Sequence, residues 1–147
     1  MSANEPDAVQ PPVLVVDDEP QIRAFLSLML SDAGYRVSAA EDGVAALGVL
    51  RTLRPAVIIT DLMMPRMDGW ELCRRLRSAA DTAAIPLIVI SALNAADAPG
   101  DAFFPKPFDL EALLATLRRL TGPAGESAAE GTQAGARALS RRGATDS

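Results

Sequence analysis

The stretch VLVVDDE at residues 13–19 decides the fold of this chain. Four consecutive apolar residues, Val13 to Val16, are typical of a short β-strand that is buried on both faces, as in a parallel sheet covered by helices. Acidic residues follow at once, and Pro20 then begins a segment whose apolar residues recur at helical spacing. A buried strand that leads through acidic residues into a helix predicts one unit of an α/β fold.

The alternation of strand and helix continues to about Leu120. Apolar runs predict four further strands, at residues 35–40, 56–60, 87–90 and 102–104. Helical spacing predicts helices that begin near Pro20, Asp42, Gly69 and Asp109; the second is expected to continue until Pro55 ends it. Strands that alternate with helices form a parallel sheet with helices on both faces. We therefore predict a doubly wound, flavodoxin-like α/β fold with five parallel strands in the order 2-1-3-4-5.

The chain has 147 residues, of which 49% are hydrophobic and 22% charged, and this size fits one domain with short extensions. Residues 1–12 contain three prolines and are predicted to be a flexible lead-in. The folded domain is predicted to span residues 13–121. Residues 122–147 are rich in glycine and alanine, with Leu139 as their single large apolar residue. They cannot bury enough surface to offset their ordering entropy, which predicts a disordered tail.

The composition also restricts location and partners. The longest run without charged or strongly polar side chains, residues 83–93, is far shorter than the roughly 18 residues of a spanning helix. The N-terminus has neither the basic start nor the apolar core of a secretory signal. A lone cysteine, Cys73, fits a reducing compartment and is predicted to be a buried hydrophobe. We expect a cytoplasmic protein without a membrane partner, and the net charge of -5 disfavours nucleic acid.

Chemically capable side chains are predicted at the carboxyl ends of four strands. The first strand is followed by Asp17 and Asp18, the third by Asp61, the fourth by Ser91, and the fifth by Lys106, the only lysine in the chain. Each has an ordinary structural reading as well; either aspartate of the first pair could simply cap a helix. Because the carboxyl ends of parallel strands meet at one edge of the sheet, we expect these side chains to lie together.

Clustered carboxylates need a cation, and oxygen ligands with open positions suit Mg²⁺. A carboxylate at such a site can attack phosphorus and form an aspartyl phosphate. Asp61 is the best nucleophile candidate, because the central third strand delivers one acid and not a pair. Asp17 and Asp18 would then bind the metal, while Lys106 and Ser91 would contact phosphoryl oxygens. The chain contains no histidine, so a mechanism that needs imidazole must take it from another molecule.

At these residues the chain resembles the receiver domains of two-component response regulators, of the CheY-like, stand-alone type. The resemblance covers residues 13–120. It rests on four signatures in order: VVDDE at residues 15–19, DLMMPRMDG at 61–69, SA at 91–92 and KPF at 106–108. Their order and spacing together are far more specific than any one of them.

The resemblance implies a function. Asp61 would accept a phosphoryl group from a histidine of a partner kinase or phosphotransfer protein, and Lys106 would contact that group. Ser91 and Phe103 would act as switch residues, and the Lys106–Pro107 bond would be cis. The implied Mg²⁺ ligands are Asp17, Asp18, Asp61 and the backbone carbonyl of Met63. The protein would signal by protein contact, with a homodimer as one form, and would catalyse only its own phosphorylation and dephosphorylation.

The chain departs from the family between the fourth and fifth strands. Only residues 92–101 connect them, and a crossover with its helix usually takes about 10–12 residues or more. We expect this helix to be shortened or absent and the nearby partner surface to be altered. Two alternatives stay open: a pseudo-receiver that binds partners without phosphorylation, and a phosphatase with an aspartate nucleophile. Such phosphatases carry a second aspartate two residues after the nucleophile, where this chain has Met63.

Overall fold

A computed structural model describes residues 11–93, 98–122 and 137–138. The helices are α1 (Pro20–Asp32), α2 (Gly43–Val49), α3 (Gly69–Ser78) and α4 (Leu110–Thr121). The strands are β1 (Pro12–Val16), β2 (Arg36–Ala40), β3 (Val57–Thr60), β4 (Leu87–Ser91), β5 (Ala102–Pro105) and β6 (Arg137–Ala138).

The strands form one sheet in the order β2-β1-β3-β4-β5-β6, and the first five strands are parallel. The predicted five-stranded, doubly wound arrangement is therefore confirmed. Val16 at the end of β1 lies opposite Thr60 at the end of β3. The next residue on each strand is an aspartate, and the amide of Asp61 still donates to the carbonyl of Val16 at 3.0 Å. The register alone thus places Asp17 and Asp61 side by side.

Helices cover both faces of the sheet. Successive residues of a strand point to opposite faces, so an apolar strand presents apolar side chains to the helices on both sides. Val13 and Val15 of β1 belong to the apolar cluster beneath α1 and α4. Leu14 and Val16 belong to the cluster beneath α2 and α3. The sheet is therefore buried on both sides and presents its polar groups only at the ends of its strands.

Aspartates begin three of the four helices. The side chains of Asp42, Asp68 and Asp109 accept hydrogen bonds from backbone amides in the first turns of α2, α3 and α4, as N-caps do. The second helix is shorter than predicted, since it ends at Val49 and not close to Pro55. The Arg54 guanidinium donates to nearby carbonyls there and satisfies acceptors that another helical turn would otherwise have bonded.

The connection between β4 and β5 contains no helix in its described residues, 92–93 and 98–101. Residues 94–97 lie outside the described part, and four residues are too few for a helix of ordinary length. A full crossover helix is therefore excluded, in agreement with the predicted fold class. The Lys106–Pro107 bond beyond β5 is cis, as the resemblance implied.

Two charged side chains fix this short connection. The Asp101 carboxylate accepts from the Leu87 amide at 2.8 Å and pairs with Arg77 at 2.8 Å. The Arg77 guanidinium also donates to the carbonyls of Ala83 and Ile85 at 3.0 and 3.1 Å. The end of α3, the approach to β4 and the start of β5 are thereby held together at one point.

The two chain ends were predicted to lack regular structure. Strand β1 begins at Pro12, one residue before the predicted boundary, and residues 1–10 of the lead-in lie outside the described part of the chain. Two residues of the tail predicted to be disordered are described: Arg137 and Ala138 form β6, antiparallel to β5. The rest of the tail beyond residue 122 lies outside the description. The composition of the tail does not predict β6, because pairing at a sheet edge uses backbone amides and carbonyls and does not require particular side chains.

None of the helices in the described residues is long and apolar enough to cross a membrane. The longest of them, α1, has 13 residues, against the roughly 20 that a spanning helix needs.

Cys73 provides a test of the packing beneath α3. Its side chain is buried, and burial raises the pKa of the thiol to about 12. Because only the thiolate is nucleophilic, we expect the native protein to react with DTNB at pH 8 at least about a hundredfold more slowly than the unfolded protein. The same reaction in concentrated denaturant is the control and should titrate one thiol. Rapid reaction of the native protein would contradict this account of the core.

Candidate functional site

The carboxyl ends of β1, β3 and β5 bring their polar residues to one point. Asp17 follows β1, Asp61 follows β3, and Lys106 follows β5. The Lys106 Nζ donates to Asp61 Oδ2 at 2.8 Å and to Asp17 Oδ2 at 3.0 Å. Side chains that are 45 and 89 residues apart in sequence therefore share one polar cluster, at the edge that the strand order predicted.

Lys106 is the centre of this cluster. Its side chain is 14% exposed, and its Nζ has a third carboxylate partner, Glu19 Oε1, at 3.3 Å. Burial on its own lowers the pKa of Lys106, but the hydrogen bonds and the attraction from Asp61 and Asp17 outweigh it and raise the pKa above its ordinary value. The lysine is therefore a fixed positive charge throughout the physiological pH range.

Asp61 is oriented through both of its carboxylate oxygens. Oδ1 accepts from the backbone amides of Leu62 at 2.6 Å and Met63 at 3.3 Å, and Oδ2 accepts from Lys106. The residue is 7% exposed. The carboxylate is thus held in one direction while a small part of its surface stays open to a reactant.

Asp17 lies deeper than Asp61. Burial raises the pKa of its carboxyl group, although the Glu19 amide and the Lys106 ammonium both oppose this by favouring the charged form. The Glu19 amide donates to Asp17 Oδ1 at 2.9 Å, and Arg23 donates to the Asp17 carbonyl at 2.8 Å. Because burial disfavours the charged form of this carboxyl group, a further cation beside it would be stabilising.

Asp18 completes an acidic cluster. One carboxylate oxygen from each of Asp17, Asp18 and Asp61 lies within 4.8 Å of the others. Asp18 is exposed, whereas the other two residues are buried. Three hard oxygen donors, one of them facing solvent, match a hydrated Mg²⁺ that keeps some of its water ligands. The residues present therefore fit the predicted metal.

The other predicted site residues are Met63, Ser91 and Phe103. Met63 follows Asp61 by two residues and is 59% exposed; metal binding by its carbonyl stays a prediction. Ser91 is fully buried, and its hydroxyl accepts from the Leu93 amide at 3.2 Å. Its carbonyl accepts from the Lys106 amide at 2.9 Å, which ties the ends of β4 and β5 together. Phe103 is buried in the cluster beneath α2 and α3.

Several residues that position the site were not predicted. Arg66 lies in the left-handed region with φ of 65° and pairs with Asp42 at 2.5 Å and Glu41 at 3.2 Å. These contacts attach the loop after Asp61 to the start of α2. Arg66 is the only described non-glycine residue with positive φ, and no sequence signal announces that conformation at an arginine.

Gly69 allows the loop after Asp61 to close. Its amide donates to the Leu62 carbonyl at 2.9 Å. A Cβ at this position would lie 2.1 Å from the Asp61 carbonyl oxygen and 2.8 Å from the Leu62 Cα. Both are backbone atoms that no rotamer change can move away. The glycine in the DLMMPRMDG stretch is therefore a steric requirement of the loop that carries Asp61.

The site and the fold together agree with one known family. A family model described as "Response regulator receiver domain" matches residues 13–118. The chain belongs to the response regulator receiver family. The resemblance that the four sequence signatures indicated is thereby confirmed.

Related receivers agree with this assignment. Response regulator MprA of Mycolicibacterium vanbaalenii is 45% identical over 130 residues, which cover 80% of this chain and 55% of MprA. The structure of the chemotaxis response regulator CheY4 of Vibrio cholerae matches with a TM-score of 0.70 and 34% identity, over 76% of this chain and 99% of CheY4. The chain spans about half the length of the curated relatives it matches.

A third receiver bears on the metal. The receiver domain of sensor histidine kinase PA1611 from Pseudomonas aeruginosa PAO1 matches with a TM-score of 0.72 and 27% identity, over 78% of this chain and 100% of that domain. It was solved with a magnesium ion coordinated in the active site cleft.

Two glycine substitutions test the steric role of Gly69. Gly69→Ala forces the loop after Asp61 away from its present position, so we expect a loss of about 2 kcal/mol or more in the free energy of unfolding. Gly48→Ala is the matched control, because no atom lies within 4 Å of a Cβ there and the residue is inside α2. It should be neutral or stabilise the protein by up to about 1 kcal/mol. Urea unfolding measures both, and equal effects would refute the steric argument.

Proposed function

We propose that this receiver accepts a phosphoryl group on Asp61, in a Mg²⁺-dependent reaction, from a phosphohistidine of a kinase or phosphotransfer protein. The observation that carries the proposal is the convergence of Lys106, Asp17 and Asp18 on the partly exposed carboxylate of Asp61. The signal would then pass to another protein by contact. Self-association as a homodimer is part of the same proposal.

The environment of Asp61 supports its role as the nucleophile. A carboxylate oxygen would form a bond to phosphorus while the P–N bond to the donor imidazole breaks, and the imidazole would leave with the bonding electron pair and take a proton from solvent. The amides of Leu62 and Met63 hold one oxygen of Asp61 and thereby aim the other. No histidine is present in the chain, so the donor imidazole comes from a partner.

Lys106 would serve the transferred group directly. Its ammonium already lies 2.8 Å from Asp61 Oδ2, so a phosphoryl group on that carboxylate would bring new anionic oxygens to a charge that is already in place. Ser91 at the end of β4 would donate its hydroxyl proton to another phosphoryl oxygen after giving up its contact with the Leu93 amide.

Asp17, Asp18 and Asp61 are the carboxylates that would hold Mg²⁺, together with the Met63 carbonyl. When bound, the metal supplies charge neutralisation to the transferring phosphoryl group. The charges of Asp17 and Lys106 would compensate each other at the base of the site. The side chain of Asp18 is exposed and could adjust its position to bind the ion.

The two other readings are separable from this one. A phosphatase with an aspartate nucleophile would need a general acid where Met63 stands, and a thioether has no proton to give. A pseudo-receiver would keep the fold without forming an adduct. Retention of Lys106 in contact with Asp61 and Asp17 favours the phosphorylated receiver over the pseudo-receiver.

Phosphorylation of Asp61 is directly measurable. With Mg²⁺ and acetyl phosphate, we expect the intact mass of the protein to rise by one phosphoryl group. Asp61→Asn should abolish the gain because the amide is not a nucleophile at phosphorus. Asp68→Asn is the matched control, since Asp68 caps α3 in the same loop but is not part of the acidic cluster; it should be phosphorylated like the wild type. Continuous turnover of small phosphoesters would instead indicate a phosphatase.

Mg²⁺ binding should stabilise the protein through Asp18. At a Mg²⁺ concentration of ten times Kd, linkage predicts a gain of about 1.4 kcal/mol in the free energy of unfolding. Asp18→Asn removes an exposed ligand, so we expect a tenfold or greater loss of affinity with little change in stability without metal. Trp70 fluorescence and urea unfolding provide the two measurements. Asp68→Asn should bind Mg²⁺ normally, and an equal loss of affinity in both variants would exclude the proposed ligand set.

A further inference from the structure

The outer edge of β5 is occupied by β6, the two described residues of the C-terminal segment, which is defined here as residues 123–147. On its inner side β5 pairs with β4 along its whole length. On its outer side it pairs with β6 at two positions only, Ala102 with Ala138 and Phe103 with Arg137. This contact is the smallest strand pairing in the sheet and joins a distant part of the chain to the folded domain.

The β5 edge suits a short strand. An edge strand offers unpaired amides and carbonyls to any extended chain. Strand β5 has four residues, and the last, Pro105, has no amide proton to donate. An edge this short gives a second copy of the protein few positions for a stable intermolecular pairing.

The C-terminal segment can reach this edge easily. Fourteen residues, 123–136, separate Gly122 from β6, and they can span up to about 46 Å when extended. Strand β5 itself is only about 13 Å long. A tether of this length keeps the segment at an effective concentration near the millimolar range, so it outcompetes a second copy of the chain at ordinary protein concentrations.

The same strand leads into the phosphorylation site. Lys106 follows the β6-paired residues by three and four positions, and its amide bonds the Ser91 carbonyl at 2.9 Å. Its ammonium bonds Asp61 and Asp17. Whatever changes the contacts of Lys106 therefore acts on the strand to which the C-terminal segment is bound.

We propose that the C-terminal segment is an intramolecular ligand of the β5 edge and that phosphorylation of Asp61 weakens its binding. The coupling, though not the docking, rests on the proposed function. New phosphoryl oxygens would draw the Lys106 ammonium and the Ser91 hydroxyl away from their present partners. The ends of β4 and β5, which carry these two residues, would then shift in position. Strand β6 has the fewest bonds in the sheet and is the first to separate when β5 shifts.

Cross-linking tests the docking. In the full chain, Ala102→Cys with Ala138→Cys places two thiols at directly paired positions, where an antiparallel pair brings Cβ atoms to about 4.5–5.5 Å. Cys73 is buried and does not compete. We expect a disulfide within one molecule, formed several-fold faster than in the control Ala102→Cys with Ala144→Cys. Equal rates in the two variants, or a disulfide-linked dimer, would overturn the proposal.

Hydrogen exchange tests the docking without a new bond. Arg137→Pro with Ala138→Pro removes both amides of β6, so the amides of residues 102–104 should exchange roughly fivefold faster or more. Ala144→Pro is the control and should leave their exchange unchanged. Unchanged exchange in the double variant would overturn the docking. If the double variant does not fold, the cross-link decides.

Exchange in the wild-type protein tests the coupling. After treatment with Mg²⁺ and acetyl phosphate, with the adduct verified by intact mass, exchange at residues 102–104 should rise towards that of the double proline variant. Asp61→Asn should show no rise. An adduct without faster exchange would overturn the coupling alone. Absence of any adduct would overturn the proposed function and the coupling with it, while the cross-link still decides whether the segment docks.

Discussion

Neighbouring carboxylates in a largely buried place repel one another unless a cation lies between them, and in this receiver the cation is Lys106. Its ammonium joins Asp17 at the end of β1 to Asp61 at the end of β3. Removing one member of a buried ion pair typically costs about 3–5 kcal/mol, because the remaining charge is left without a partner. The relative positions of three strand ends thus depend on one side chain that the fold brings in from β5.

This arrangement makes the site responsive. Both carboxylate oxygens of Asp61 are already bonded, one to backbone amides and the other to Lys106, and the Ser91 hydroxyl accepts from the Leu93 amide. A new anionic group on Asp61 would therefore exchange some of these partners. The sheet supplies rigid supports for the exchange, because its core residues are buried on both faces. A chemical modification at the strand ends therefore alters the contacts between the strand ends and leaves the packing of the core intact.

Much of this could be read from the sequence. Apolar runs that alternate with helical spacing predicted a doubly wound parallel sheet, and the strand order of that fold placed the ends of β1, β3 and β5, with Asp17, Asp61 and Lys106, at one edge. Strand β6 could not be predicted, because edge pairing uses backbone groups that every residue possesses. At the early end of α2, the Arg54 guanidinium donates to the carbonyls of Leu50 and Leu53, and periodicity does not report such side-chain contacts.

The supports of the site were also beyond the sequence. The clash that forbids a side chain at Gly69 exists only once the loop has closed on Asp61, and the ion pairs of Arg66 with α2 require a left-handed backbone at a residue type that seldom adopts one. The periodicity of apolar residues in a sequence indicates which residues face the core. The contacts of Gly69 and Arg66 lie outside the core, so periodicity does not predict them.

The ion pair between Arg77 and Asp101 makes the stability of one corner of the molecule depend on the ionic strength of the solvent. Both side chains are substantially exposed, at 38% and 45%, so dissolved ions screen their attraction. The apolar clusters beneath the helices contain no ion pairs that dissolved ions could screen. The rigidity of the junction of α3, β4 and β5 therefore follows the salt content of the surrounding solution, whereas the packing of the core does not depend on such a pair.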